Sequence, residues 1–142
     1  MRLTEDDIET AAERARESLA QSSRSPVLLT EADLPAVDAA LAEASRFRDA
    51  LPDEIHEGFV RDFGCYVLEI GRRAHGGRYA WLEASDEPVL IVGEPTRHIA
   101  IATWSKLRGR LDGDNADSVA FLYRGFVEQV LHAPAGVPTI FV

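Results

Sequence analysis

Six ionisable side chains are the residues of this sequence that could do chemistry. They comprise one carboxylate, one imidazole and four cations: Glu69, Arg72, Arg73, His98, Lys106 and Arg110. A buried carboxylate could serve as a general acid or base, and grouped cations could hold a phosphate or a partner's carboxylates. We therefore predict that these six residues form a ligand or partner cluster if the fold brings them together.

Glu69 lies near the end of a mostly apolar helical pattern. It could form a surface pair with Arg72 or Arg73, which follow at helical spacing. The alternative is a partly buried carboxylate that pairs with Lys106 or Arg110 of a later helix. A buried carboxylate without a partner could act as a general acid or base, but the sequence supplies no second catalytic group, so we lean against an enzyme.

Two groups of basic residues could form a cationic patch for a phosphate or a carboxylate. The first flanks a Gly-Gly pair and the second lies on the later helix: Arg72, Arg73 and Arg78; Lys106, Arg108 and Arg110. The simpler interpretation is that these charges are solvated and serve helix ends. The sequence contains no Gly-rich phosphate loop, no Gly-x-Ser-x-Gly motif and no dinucleotide fingerprint.

We predict no metal and no other cofactor. The four histidines are dispersed, with no His-Glu-x-x-His motif. The segment from Asp112 resembles a calcium loop only at its start, because Ala116, Asp117 and Tyr123 occupy positions that such a loop reserves for other residues. Cys65 is the single cysteine, and its helical, aromatic surroundings indicate a small buried side chain.

The charge of the chain limits its partners. The 142 residues include 15 Lys and Arg against 24 Asp and Glu, for a formal net charge of -9. This balance argues against nucleic acid and anionic membranes as main partners, and favours a basic or neutral protein. The acidic N-terminus lacks the apolar core of a signal peptide, and no apolar run is long enough to span a bilayer. We therefore expect a cytoplasmic protein with a single domain over residues 1–142.

Hydrophobic periodicity predicts three helices, a β-meander and two more helices. The first predicted helix starts at Thr4, where Asp7 completes a capping box. The next three run from Asp33 to before Pro52, from Asp53 to about His75 and from Trp104 to Leu111, and the fifth starts from a cap at Asn115 or Asp117. The predicted strands cover 78–83, 88–92 and 98–102. The first helix has a narrow, Ala-rich apolar stripe, which is typical of a peripheral helix or one that packs closely on a partner.

These elements predict the α+β class. Strands joined by short turns should give an antiparallel sheet of three or four strands, with about five helices packed mainly on one face. Gly58 and Gly64 lie inside the third helix, where glycine is unfavourable, and we expect another backbone to approach them closely. The apolar tail, residues 137–142, should add a strand or fill an interface.

From Gly64 onward the chain resembles a family of small uncharacterised bacterial α+β domains, over roughly residues 60 to 125. The resemblance rests first on a Gly-x-Tyr-x-x-Glu helix (Gly64, Tyr66, Glu69) and a Gly-Gly-x-x-x-Trp strand (Gly76, Gly77, Trp81). It continues with a Lys-x-x-x-Arg-Leu helix (Lys106, Arg110, Leu111), then Gly113, and an Asp-Ser pair followed by Tyr (Asp117, Ser118, Tyr123). Leu68 departs from the family's Gly. The resemblance implies an α+β fold without an assigned activity, and some relatives look like immunity proteins of toxin systems.

Three functions remain open from the sequence. The leading hypothesis is a non-enzymatic interaction module, immunity-like, which acts through an acidic surface or the apolar tail. The second is a ligand-binding protein or enzyme that uses a cleft around Glu69, Arg73, His98 and Arg110. The third is a homodimeric scaffold built on the Ala-rich first helix or the last strand, in which the unknown protein partner is a second copy of the chain.

Overall fold

The computed structural model describes residues 2–23, 26–114, 118–136 and 138–142. Within these ranges the chain forms five α-helices and four β-strands, as the sequence predicts for an α+β protein. In chain order they are α1 (Glu5–Ser22), α2 (Leu34–Ser45), α3 (Asp53–His75), β1 (Arg78–Leu82), β2 (Glu87–Val92), β3 (Ile99–Ile101), α4 (Trp104–Leu111), α5 (Val119–His132) and β4 (Thr139–Phe141). Short 3₁₀ turns at Glu31–Asp33 and Arg48–Ala50 flank α2.

The four strands form one sheet in the order β1-β2-β3-β4. The first two pairings are antiparallel, but β4 lies parallel to β3, with Ala100 beside Ile140. The predicted all-antiparallel sheet is therefore wrong at one strand. The reason is that α4 and α5 lie between β3 and β4, and a long helical crossover returns the chain in the same direction. The prediction that the apolar tail adds a strand is confirmed.

The helix α3 is the centre of the helical layer. It packs against α1, α4 and β2, and its middle turns, from Phe63 to Gly71, are buried. The sheet residues that face this layer include Leu90, Val92 and Ile99, which join the main core. On the opposite face of the sheet, a smaller apolar cluster contains Val89, Ile91, Ala100 and Ala102. The helices thus cover one face, as the short connections between elements predict.

The first helix begins as its sequence predicts. The backbone N–H of Asp7 donates to Thr4 Oγ1 at 3.1 Å, and the backbone N–H of Thr4 donates to the Asp7 carboxylate at 2.8 Å. This capping box satisfies two backbone donors that the helix itself leaves open. The hydrogen bond with Thr4 also lowers the pKa of the Asp7 carboxyl.

Side chains that are distant in sequence cap two other helices. Asp38 of α2 accepts the backbone N–H groups of Val119 and Ala120 at 2.8 and 3.1 Å, beside the N-cap Ser118 of α5. The predicted caps Asn115 and Asp117 lie outside the described residues. Because the N-cap of α5 is Ser118, the sequence identified the start of this helix but not the residues that stabilise it.

Glu87 performs the same role for α4. Its carboxylate is fully buried, and it accepts the backbone N–H of Trp104 at 3.0 Å and the hydroxyl of Ser105 at 3.1 Å. A carboxylate at this position also faces the positive end of the helix dipole. Glu87 therefore attaches the beginning of β2 to the beginning of α4.

Candidate functional site

Glu69 lies at the centre of a buried ionic cluster at the end of α3. Only 1% of its surface is exposed. The Arg72 guanidinium donates to both carboxylate oxygens, from Nε at 2.5 Å and from Nη2 at 3.0 Å, and the Tyr79 hydroxyl of β1 donates at 2.9 Å. The Nε of Arg73 lies 3.8 Å from a carboxylate oxygen of Glu69. We call Glu69, Arg72, Arg73 and Tyr79 the Glu69 cluster.

The Glu69 cluster combines two of the sequence-based alternatives. Glu69 pairs with the arginines of its own helix, as the first alternative predicts, but it is buried, as the second predicts. The prediction that it would pair with α4 is wrong, because Arg72 and Tyr79 occupy both of its oxygens. Tyr79 is the residue that the sequence analysis missed. Its place two residues after the Gly-Gly turn, on the inner face of the first strand, was the available signal.

The electrostatics of the Glu69 cluster favour a stable ion pair over acid–base chemistry. Hydrogen bonding with Glu69 raises the pKa of Arg72, so that guanidinium stays charged. Burial, and next the Glu69 carboxylate, raise the pKa of Tyr79, which keeps its hydroxyl proton for donation. The Arg72 guanidinium also lies 5.9 Å from the centroid of the Tyr79 ring, within the range of a cation–π contact. Arg72 therefore stays charged and Tyr79 stays protonated beside the Glu69 carboxylate.

The other three predicted site residues lie in two other places. His98 precedes β3 and lines a shallow cavity of about 350 Å³ on the outer face of the sheet, with its Nδ1 3.7 Å from Glu94. Lys106 and Arg110 lie one turn apart on α4 and line a separate cavity of about 420 Å³, whose other walls include Leu82 and Ser85. The structure thus brings together Glu69, Arg72 and Arg73. It places His98 in one separate cavity, and Lys106 and Arg110 in another.

A groove with a largely apolar lining lies between three helices. One cavity of about 430 Å³ lies between the end of α1 and α2, and a second of about 320 Å³ lies between α1 and the start of α3. Both cavities share Ser18 of α1 and the rings of Phe59 and Phe63 of α3. These rings stack with centroids 5.5 Å apart and form the floor. We call the joined cavities the three-helix groove.

The walls of the three-helix groove are built from small residues. On α2 they include Ala36, Ala40 and Ala44, and on α1 they are mainly serines around Leu19. Phe47 closes one end and is 56% exposed. Side chains this small leave room for a guest to approach the backbones of α1 and α2 closely.

Two apolar residues whose periodicity predicts burial instead mark the three-helix groove. The sequence places Phe47 on the stripe of a helix that runs to before Pro52, but α2 ends at Ser45 and Phe47 lies beyond it, so this part of the prediction is wrong. Ile55 lies on α3, as predicted, yet it is 50% exposed instead of buried. Apolar residues that extend a helical stripe beyond the buried core indicate an exposed apolar surface.

Two features are absent from the part of the chain that the structure describes. Its residues contain no group of three or more His, Cys, Asp or Glu side chains that could hold a metal ion. Nor does any helix in these ranges combine the length and the apolarity required to cross a bilayer. The acidic segment that begins at Asp112 continues through Asn115 and Asp117, which lie outside the described residues.

Cys65 is buried, as the sequence predicts, and should be chemically inert. Burial raises the pKa of its thiol to about 12. Because the thiolate is the reactive form, we expect a disulfide reagent at pH 8 to label native Cys65 at least about 100-fold more slowly than the urea-unfolded chain. Absorbance of the released thiol measures both rates, and equal rates would show that Cys65 is accessible.

Comparison with known proteins leaves the family open. The resemblance to small bacterial α+β domains stays a prediction from the motifs between Gly64 and Tyr123. No protein-family model, no curated protein and no solved structure matches this chain.

Proposed function

We propose that this protein is a non-enzymatic interaction module whose three-helix groove binds an amphipathic helix of another protein. The observation that supports this most strongly is an open, aromatic-floored groove with Phe47 and Ile55 exposed at its rim. Large aromatic side chains in a concave apolar surface are typical of the centre of a protein interface. The Glu69 cluster supports the same conclusion, because its carboxylate, guanidinium and hydroxyl groups bind one another.

The shape of the three-helix groove suits a helix better than an extended peptide. Its walls are helices and offer no strand edge for β-augmentation. Alanine-lined walls let the large side chains of one guest helix insert between α1 and α2, at the interaxial distance of about 8–10 Å typical of packed helices. The guest would complete a four-helix arrangement with α1, α2 and α3.

Charge indicates which helix fits. The lining carries the carboxylates of Glu43, Glu54 and Asp62 against two guanidinium groups. Arg14 and Arg61 both pair with Asp62, and Glu43 pairs with Arg46, so the lining itself is only slightly acidic. The chain as a whole carries a net charge of -9. A guest with a basic polar face is therefore favoured by charge complementarity, and a second copy of this acidic chain is disfavoured. An immunity-like role, in which the guest helix belongs to a toxin, is a special case of this proposal.

Calorimetric titration with designed peptides tests the proposal. An 18-residue amphipathic Leu/Lys peptide should bind, and two controls should bind at least about tenfold more weakly: a Leu/Glu peptide of the same pattern and a scrambled Leu/Lys peptide without an apolar face. The scrambled peptide separates groove binding from simple attraction of opposite charges. Equal binding of the two Leu/Lys peptides would contradict the proposal.

Matched variants locate the binding surface. Phe47→Ala removes an exposed groove side chain, and Ala40→Leu fills the groove, so each should weaken binding of the Leu/Lys peptide by about tenfold or more. Phe121→Ala is the control, because Phe121 is also largely exposed, at 65% against 56% for Phe47, but lies on α5. Loss of binding in Phe121→Ala alone would overturn the assignment of the groove. A concentration-dependent dimer that Phe47→Ala dissociates would identify a second copy as the occupant instead.

A further inference from the structure

We propose that two copies of this chain pack face to face through the outer face of the sheet, the face opposite the helices. The surface centres on the cavity of about 350 Å³ that His98 lines, which we call the sheet cavity. The sheet cavity shares no lining residue with the three-helix groove. Self-association at the sheet is therefore independent of a guest helix in the groove.

The sheet cavity is an apolar hollow with a ridge on one side. Its floor includes Val89, Ile91 and Ala100, each at most 6% exposed. On β1 the small side chain of Ala80 continues this floor, since Ala80 lies beside Val89 in the sheet. On β4 the larger Ile140 lies beside Ala100 and is 48% exposed. The outer face is therefore low at β1 and β3 and high at β4.

This relief is self-complementary. The strand order is β1-β2-β3-β4, so a twofold axis that runs parallel to the strands, between two copies, places β4 of each copy opposite β1 of the other. The ridge at Ile140 then lies over the hollow at Ala80 of the second copy. Sheets that pack face to face lie about 10 Å apart with interdigitated side chains, which this alternation of large and small residues allows.

Charge favours a second copy at this face, although the chain carries a net charge of -9. The described lining of the sheet cavity contains no carboxylate side chain, whereas the three-helix groove contains Glu54 and the cavity on α4 contains Asp114. Glu94 lies 3.7 Å from His98, but Arg78 pairs with this carboxylate at 2.6 Å. Two copies can therefore meet here without opposing unpaired negative charges, which would disfavour association.

The size of the outer face sets the strength of the dimer. Four strands at a spacing of about 4.8 Å span only about 15 Å. An interface of this width is smaller than that of a typical stable complex, so the dimer is weak and forms at high protein concentration.

Sedimentation equilibrium of the full chain, from about 5 to about 500 µM at constant ionic strength, tests this proposal. We expect the average mass to rise with concentration from that of one chain toward that of two. Phe47→Ala should leave this rise unchanged, because Phe47 lies at the three-helix groove. A chain that stays monomeric at every concentration, or a dimer that Phe47→Ala dissociates, would overturn the proposal. Peptide binding to the groove is a separate titration, so the two proposals can fail separately.

Matched lysine variants tie the dimer to the outer face. Ile140→Lys should weaken dimerisation by at least about tenfold, because it buries a charge in an apolar contact. It also makes the acidic chain less negative, so general repulsion between copies would change in the opposite direction. Leu131→Lys is the control, because Leu131 is an aliphatic residue of α5 that is 58% exposed. Equal weakening by both variants would show that the outer face is not the contact.

Cysteine pairs test the arrangement of the two copies. When the Ala80→Cys and Ile140→Cys variants are mixed and oxidised, a disulfide that joins position 80 of one copy to position 140 of the other should form faster than either symmetric disulfide. Mass spectrometry distinguishes the three products, and the native Cys65 is buried and does not compete. If Ile140→Cys links mainly to itself, the two β4 strands meet and the face-to-face arrangement is wrong.

Discussion

Replacement of Gly64 by alanine should destabilise the protein by about 2–3 kcal/mol, although alanine is the better helix former. Gly64 lies in the buried middle of α3, where α4 crosses it. A Cβ added here would overlap with Cδ1 of Trp104 and lie 2.8 Å from its Nε1. The Trp104 ring packs edge-on against the Trp81 ring, with the ring centroids 6.2 Å apart, and Trp104 is the first residue of α4. A shift of Trp104 would therefore disturb both neighbours. The clash must therefore move an entire helix end.

Urea denaturation measures this effect, and Gly58 provides a matched control in the same helix. A Cβ at Gly58 meets only the end of Arg61, at 3.7 Å. Gly58→Ala should therefore stabilise the protein by about 0.5–1 kcal/mol through helix propensity. The two substitutions are chemically identical, so opposite signs would confirm the close contact at Gly64. Stabilisation by both would show that Trp104 can yield.

Glu87→Ala should cost about 3 kcal/mol, the second large effect that we expect. The substitution removes a fully buried carboxylate and leaves the N–H of Trp104 and the hydroxyl of Ser105 without an acceptor. It also removes a negative charge from the start of α4 and leaves a small void. The relief of the desolvation cost of the buried carboxylate offsets only part of these losses.

Glu87→Gln separates the causes of that loss. Glutamine keeps the size of the side chain and one acceptor oxygen, so it should cost about 1–2 kcal/mol, mainly from the lost charge at the helix terminus. Both variants can be compared by urea denaturation with the native chain at pH 7. If Glu87→Ala were no more damaging than Glu87→Gln, the hydrogen bonds to α4 would not be what stabilises this junction.

Local features of the fold could be predicted from the sequence. The capping box of Thr4 and Asp7 lies within one helical turn, and the range of α3 follows from an apolar stripe that ends at a Gly-Gly pair. Such features depend on neighbours a few residues apart, which periodicity and propensity describe directly. The same reasoning explains why Glu69 was correctly paired with Arg72.

Features that depend on distant partners could not be predicted. No local pattern shows that Asp38 caps α5 or that Tyr79 binds Glu69, because these contacts join elements whose packing must first be known. The approach to Gly64 also differs from the expectation, since a Trp104 side chain, and not a backbone, fills the space. For Gly58 the structure offers no close contact that explains the glycine. The parallel pairing of β4 with β3 was not predicted for a related reason. The crossover through α4 and α5 that produces it has no sequence motif of its own.

The dependence of α4 and α5 on remote caps bears on how the chain unfolds. With 8 and 14 residues, both helices are short enough to be marginal in isolation. Their first turns are completed by Glu87 and Asp38, so neither helix can persist after β2 or α2 has separated from it. Denaturation should therefore proceed as one cooperative transition, without a long-lived species that retains these two helices alone.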